Sequence, residues 1–257
     1  MALKFEGKKV VTSDLSFKPD PLLGNLVKCY LKEVKVVENK IEKTKEDGSD
    51  NTWEYAGYTV SYLQFTFVQI KKDKNERDRI LRHIESVITF VTSEGQKVDD
   101  NTIVSLFTQM NDRIVHIHDA FKNDPNYKPL LDLEFDEKGS QKERLENFKK
   151  FFLAIEAAFN KGKNDKPIFI DAKGQFAPLY LKVLPDYKTK SFYGIPAFVN
   201  KGFVERCFDQ APSIELTPAE KADFELKSKK GKKVAGDAAG STVTHDDVDP
   251  AVADLIS

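Results

Sequence analysis

LVKCYLKEVKVV, residues 26–37, alternates side-chain type and is dense in β-branched residues, which predicts a strand. Side chains along a strand point to opposite faces, so Val27, Cys29 and Leu31 share one face and Lys28, Tyr30 and Lys32 the other. The first face is a core face; the second is basic around an aromatic ring. The polar run ENKIEKTKEDGSDN, residues 38–51, ends the strand as a solvated loop. WEYAGYTVSYLQFTFVQI, residues 53–70, reads as a second strand, long enough that Gly57 is expected to bend or bulge it into two parts. Its apolar set is Leu63, Phe65 and Phe67, and Tyr58, Val60, Tyr62, Gln64 and Thr66 fall on the opposite, polar side.

Outward from these strands the pattern changes twice. Residues 80–91 fit both a helical stripe and a strand face; the β-branched density of VITFVT and the Glu94-Gly95 turn favour a strand. Two helices follow. Asp99, Asp100 or Asn101 can cap the first, whose apolar positions from Ile103 to Phe121 keep helical spacing until Asn123-Asp124-Pro125. The second covers residues 141–160 on Leu145, Phe148, Phe152, Ile155 and Phe159, with Lys161-Gly162 as its stop. Strands are expected again at residues 167–171, 177–184 and 191–208. In the second of these Tyr180 and Lys182 oppose Leu179, Leu181 and Val183, and Tyr187, Lys188 and Lys190 follow in the turn. Residues 217–257 have few large apolar groups and read as a flexible tail, disordered after about residue 230 because burial there cannot offset the entropy of ordering. Its lysine cluster, residues 227–233, reads as a solvated linker or a second strand-binding patch, and its tip carries Asp246, Asp247, Asp249 and Asp254 before Leu255 and Ile256.

Composition excludes several function classes. The 257 residues carry 40 Lys and Arg against 41 Asp and Glu, so no histone-like or ribosomal excess of positive charge exists. No apolar run is long enough to span a membrane, and the first residues lack the apolar core of a secretory signal, so a soluble, cytoplasmic protein is expected (host cytoplasm if phage-encoded). Cys29 and Cys207 are the only cysteines, and with His83, His116, His118 and His245 they offer no metal quartet. Phosphate-loop, dinucleotide and hydrolase signatures are missing too. The reading is therefore of a non-enzyme with no cofactor and no metal. What recurs is a tyrosine on the wet side of a strand, three times over, with lysine beside it in the strands of Tyr30 and Tyr180. A flat ring stacks any base and a nearby ammonium attracts the phosphate, which is what a single-strand groove requires. Taken one at a time, such strands are better explained by the propensity of Tyr and by Lys protecting sheet edges; only the threefold recurrence brings the binding reading level with that one.

Three stretches carry a family resemblance: WEYAGYTVSYLQFTF at 53–67, PLYLKVLPDYKTKSFYGIPAFVNKGFVER at 178–206, and the acidic arm that ends in apolar residues. In these the chain resembles the single-stranded DNA-binding proteins of tailed phages, those of crAss-like phages included, whose core is an OB-fold. The resemblance implies a β-rich α+β fold: an OB-like Greek-key barrel at residues 1–216 with strands 26–37, 53–70, 80–92, 177–184 and 191–208, a helical pair inserted at about 99–161, and a disordered acidic C-terminal tail at 217–257. It implies sequence-nonspecific binding of single-stranded DNA in replication, recombination and repair. The nucleic-acid-binding set would be Lys28, Tyr30, Lys32, Trp53, Tyr58, Tyr62, Tyr180, Lys182, Tyr187, Lys188 and Lys190. Replication or recombination proteins would dock on Asp246, Asp247, Asp249, Asp254, Leu255 and Ile256, no membrane is involved, and a homo-oligomer is compatible with the scheme. The chain departs from the family in its Leu255-Ile256-Ser257 terminus, where an aromatic is common, and in the size of the helical insertion. The rival readings are a virion or scaffold protein using the β-rich body for protein contacts, and an accessory subunit whose tail recruits an enzyme.

An acidic arm can compete with phosphate for a basic groove, since local field rather than net charge attracts the strand. Deleting residues 241–257 is expected to raise affinity for single strands at low salt in a fluorescence titration; unchanged affinity contradicts the competition.

Overall fold

The computed structural model describes residues 26–71, 78–130, 138–185, 193–195, 202–208 and 211–218. These form a mixed α+β protein in which a five-stranded antiparallel sheet packs against two helices. In chain order the elements are β1 (Leu26–Lys40), β2 (Thr59–Gln69), β3 (Ile80–Glu85), α1 (Asp100–Asp119), α2 (Gln141–Asn160), β4 (Pro178–Lys182), β5 (Leu184–Pro185), β6 (Tyr193–Gly194) and β7 (Val204–Arg206). The large sheet has the order β3-β2-β1-β4-β7, and β5 pairs with β6 in a separate two-stranded ribbon. The sheet is open, with β3 and β7 at its edges, so the expected closed barrel is not what the described strands form.

β1 organises the sheet because it pairs on both sides. Cys29 to Lys40 face β2, and Leu26 to Tyr30 face β4. The ladder to β2 shifts between Leu31 and Glu33, a bulge that leaves Lys32 without an opposite number and reverses the alternation beyond it. Val34 therefore returns to the core where simple alternation from Cys29 and Leu31 would place Glu33. Past the bulge β4 no longer covers the second edge of β1, and α2 takes over. Val36 N donates to Glu156 Oε2 at 3.0 Å, and Asn160 Nδ2 donates to Val34 O at 2.9 Å. Those side chains satisfy backbone groups that would otherwise be left unpaired beside the core.

Several expected strands are shorter than their sequence suggests. Residues 53–58 form a turn ahead of β2, where Gly57 adopts φ +90° and donates its N–H to Ile41 O. That left-handed conformation suits glycine and breaks the long second strand at the residue anticipated. β3 stops at Glu85, and Val91 instead bridges Lys97 across a tight hairpin. Residues 167–171 are a turn rather than a strand, with Ile170 bridging Phe176 over Lys173-Gly174. Of the stretch 191–208 only β6 and β7 are strands among the described residues. The helices match the sequence reading: Asp99 caps α1 by accepting from Thr102 N, and Ser140 with Glu143 closes a capping box on α2. Both lie between β3 and β4 in the chain. The tail expected from residue 217 lies outside the described residues from 219 onward.

The core lies between the inner sheet face and the helices. Phe65 of β2 meets Phe159 of α2 edge-on at 5.4 Å, and Phe107 of α1 packs on Phe151 of α2 at 5.5 Å. Three arginines are spent on carboxylates at the margins of this core. Arg113 grips Glu85 with two bonds of 2.6 Å, and Arg206 grips Asp124 at 2.6 and 2.9 Å. Arg144 pairs with the fully buried Glu54 and lies 4.6 Å from the centre of the Phe90 ring. Glu54 also accepts the backbone N–H groups of Phe90 at 2.6 Å and Val91 at 3.0 Å, so one carboxylate ties the pre-β2 turn, the post-β3 segment and α2 together. At Glu85 burial pushes the carboxyl up, but the bonds from Arg113 and His83 outweigh it and hold it below the usual range.

Breaking a buried pair leaves an uncompensated charge, so Glu54→Gln is expected to cost about 3–5 kcal/mol, read as a lower urea midpoint at unchanged slope. A loss below about 1 kcal/mol would show the pair to be solvated.

His118 gives a second prediction. Its ring is fully buried between Tyr127 and Phe159, and both nitrogens are unpartnered among the described residues; Asp119 Oδ1 stands 3.6 Å from Nδ1, beyond hydrogen-bond reach. Burial pushes its pKa down, against the opposing pull of Asp119. With the folded value depressed, the unfolded chain binds the proton first, so stability falls as pH drops below about 6.5, by up to about 1.4 kcal/mol per pH unit. His118→Phe should remove this component. Urea unfolding of both proteins at about pH 5 and pH 7.5 tests it, and an equal pH dependence contradicts it.

Candidate nucleic-acid interface

The outer sheet face is built by cross-strand register. Lys28 lies directly opposite Tyr180 of β4, and Tyr180 is in turn opposite Glu205 of β7. Tyr30 pairs with Val68, which puts it on the same face as the even-numbered residues of β2. Beyond the bulge that face continues through Lys35 opposite Gln64 and Val37 opposite Tyr62. β3 adds Arg82 opposite Thr66 and Ile84 opposite Gln64. Lys28, Tyr30, Tyr62 and Tyr180 thus lie on one side of the sheet, with Tyr62 half-buried and packed against the core. Tyr30 and Tyr62 stand about 20 Å apart along β2 at the usual rise of a strand.

This face is less open than the sequence suggests. Val60, Gln64 and Thr66 were expected on a wet side, yet all three are buried: Val60 joins the core, and the Gln64 amide donates to Thr66 Oγ1 at 3.3 Å. Lys182 is also buried, with its ammonium donating to Glu215 O at 3.3 Å under the segment 211–218, so it is not presented to a phosphate. Trp53 and Tyr58 belong to the turn ahead of β2 and pack against the core; Trp53 Nε1 approaches Thr89 Oγ1 at 3.3 Å and its ring meets Tyr55 edge-on. Neither aligns with the tyrosine row. Lys32 sits in the bulge, exposed and near Asp78, out of register with Lys28. Tyr187, Lys188 and Lys190 lie outside the described residues, as do Asp246, Asp247, Asp249, Asp254, Leu255 and Ile256.

The sequence reading missed three members of the surface. Phe176 is 41% exposed and stacks on Tyr30 with ring centres 4.9 Å apart and planes 19° apart, while its other neighbour is the buried Phe169 at 6.3 Å. The column braces Tyr30 from the core outward. Its signal was hidden because Phe176 closes a turn, IDAKGQF, rather than continuing a strand. Lys35 was missed because the bulge shifts the alternation, and Arg82 because the phase of residues 80–91 was ambiguous.

Charge on the face is mixed. Lys28 and Arg82 are exposed and make no ion pair with a described residue, whereas Lys35 is 3.3 Å from Glu33 and Lys71 is 2.8 Å from Asp78. The three phenols are held protonated: burial raises the pKa of Tyr30 and of Tyr62, and a hydrogen bond with the Cys207 thiol raises that of Tyr180. A neutral ring can approach a phosphodiester without repulsion. Among the described residues no group of three or more His, Cys, Asp or Glu is placed to hold a metal ion, and no helix is long and apolar enough to cross a membrane. No family model, curated protein or solved structure matches the chain.

Proposed function

We propose that the protein binds single-stranded DNA without sequence preference, as a non-catalytic protector of single strands in phage replication or recombination. The observation that carries the reading is the shared face of Lys28, Tyr30, Tyr62 and Tyr180, brought together from three strands by register. Rings spaced along a sheet and exposed cations beside them supply the two interactions that single-strand binding uses, stacking and phosphate attraction. Phe176 enlarges the platform at the Tyr30 end. The chain path supports an OB-like ancestry: β1, β2 and β3 form a meander, and after the helices β4 returns to the far side of β1, the spatial order of a Greek key. In this scheme the acidic C-terminal arm recruits replication or recombination partners.

The test is titration of fluorescent oligothymidine and a matched duplex at two salt concentrations. Single-strand binding should exceed duplex binding and weaken with salt. Tyr180→Ala and Tyr62→Ala should each cost about 1–3 kcal/mol, roughly 5- to 150-fold. Lys28→Ala should reduce the slope of log affinity against log salt by about 0.7. Absence of binding at low salt, or binding indifferent to both salt and tyrosine removal, overturns the proposal; salt-indifferent self-association through the same face would point to the structural role instead.

A further inference from the structure

Beside the outer face, a cavity of about 500 Å3 opens between the C-terminal end of α1 and β7. Tyr180 belongs to both: it is the cross-strand neighbour of Lys28 on the sheet face and a wall of the cavity. Phe208 also lines it and is 55% exposed, with the Arg206 guanidinium 5.2 Å from its ring centre and itself anchored on Asp124. Two rings with Val115 and Val204 make an apolar slot of the size that small planar ligands occupy.

The polar lining is mixed, but Arg206 is held by Asp124, Glu205 is engaged by Ser213 and His116 Nδ1 meets Asp112 O, which leaves Asp119 as the carboxylate open to a ligand. Asp119, the last residue of α1, is half exposed, and its Oδ1 accepts the Tyr127 hydroxyl at 2.8 Å. Oδ2 has no described partner. The end of α1 also carries the negative pole of the helix, which favours donors over anions. Asn123 and Lys122 lie at the same rim, both exposed. A ligand suited to this lining has a flat ring and a donor-rich edge, with its phosphate outside by Lys122.

We propose that the cavity holds one donor-edged nucleobase, guanine foremost, turned out of the strand that lies on the sheet face. The guanine N1–H and N2–H groups donate to the Asp119 carboxylate, O6 accepts from the Asn123 amide, and Tyr180 and Phe208 supply the apolar walls. Thymine presents two carbonyl oxygens and a single N–H, so it meets the carboxylate less well. This inference rests on the strand-binding reading for the source of the base, and gives an otherwise nonspecific surface a preference at one position.

Mononucleotides separate the two readings. Titrating dGMP and dTMP into the full chain, followed by amide chemical shifts, should give saturable shifts around Phe208 and Asn123 with dTMP about tenfold weaker. Asp119→Asn should abolish that discrimination and Phe208→Ala should weaken dGMP about tenfold, while oligothymidine binding stays within about twofold in both. No saturation by dGMP at about 10 mM, equal response to dTMP, or unchanged discrimination in Asp119→Asn overturns the inference. Oligothymidine binding without a dGMP site refutes the cavity alone; a dGMP site without oligothymidine binding refutes the strand reading alone.

Discussion

The backbone of β1 has two edges to satisfy over 15 residues, and its second edge changes partner part-way. Up to Tyr30 that edge belongs to β4, and beyond the bulge it belongs to the side chains of Glu156 and Asn160 on α2. The rest of the architecture depends on this exchange. It lets a helix sit against a strand edge without leaving buried donors and acceptors unpaired, and it fixes α2 over the inner face where Phe159 meets Phe65. α1 then packs through Phe107 and joins the assembly to β3 by the Arg113–Glu85 pair.

The bulge that accompanies the exchange also composes the outer face. Without it, regular alternation would carry Lys32, Val34 and Val36 outward, and Lys35 and Val37 would turn inward opposite Leu63 and Ser61. Tyr30 and Tyr62 share that side through β2, which alternates without a break from Val68, the partner of Tyr30, to Tyr62; what the bulge adds to it is Lys35 and Val37. A local backbone irregularity is thus the link between sheet packing and the surface that function would use.

The two helices were legible because their cues are local: Ser140 and Glu143 lie three residues apart and cap α2 within a single turn. Strand existence was equally legible in β1 and β2, whose alternation is long. What the sequence hid depends on neighbours in space. The bulge at Lys32 has no glycine to mark it, so the phase of Lys35 could not be read. Lys182 follows Tyr180 at the spacing of an exposed pair, and only the return of residues 211–218 buries it. Three of the six arginines face carboxylates 28 to 90 positions away, pairs no motif announces. Phe176 required the turn between Ile170 and itself before it could reach Tyr30.

Photo-crosslinking to an oligothymidine carrying 4-thiothymidine, with the linked residues located by mass spectrometry, tests most directly whether this face is the one that meets nucleic acid. The account predicts adducts at Tyr30, Phe176, Tyr62 and Tyr180, lost when unlabelled single strand is added in excess. Adducts confined to the exposed sides of α1 and α2, with the tyrosine row unmodified, would contradict it.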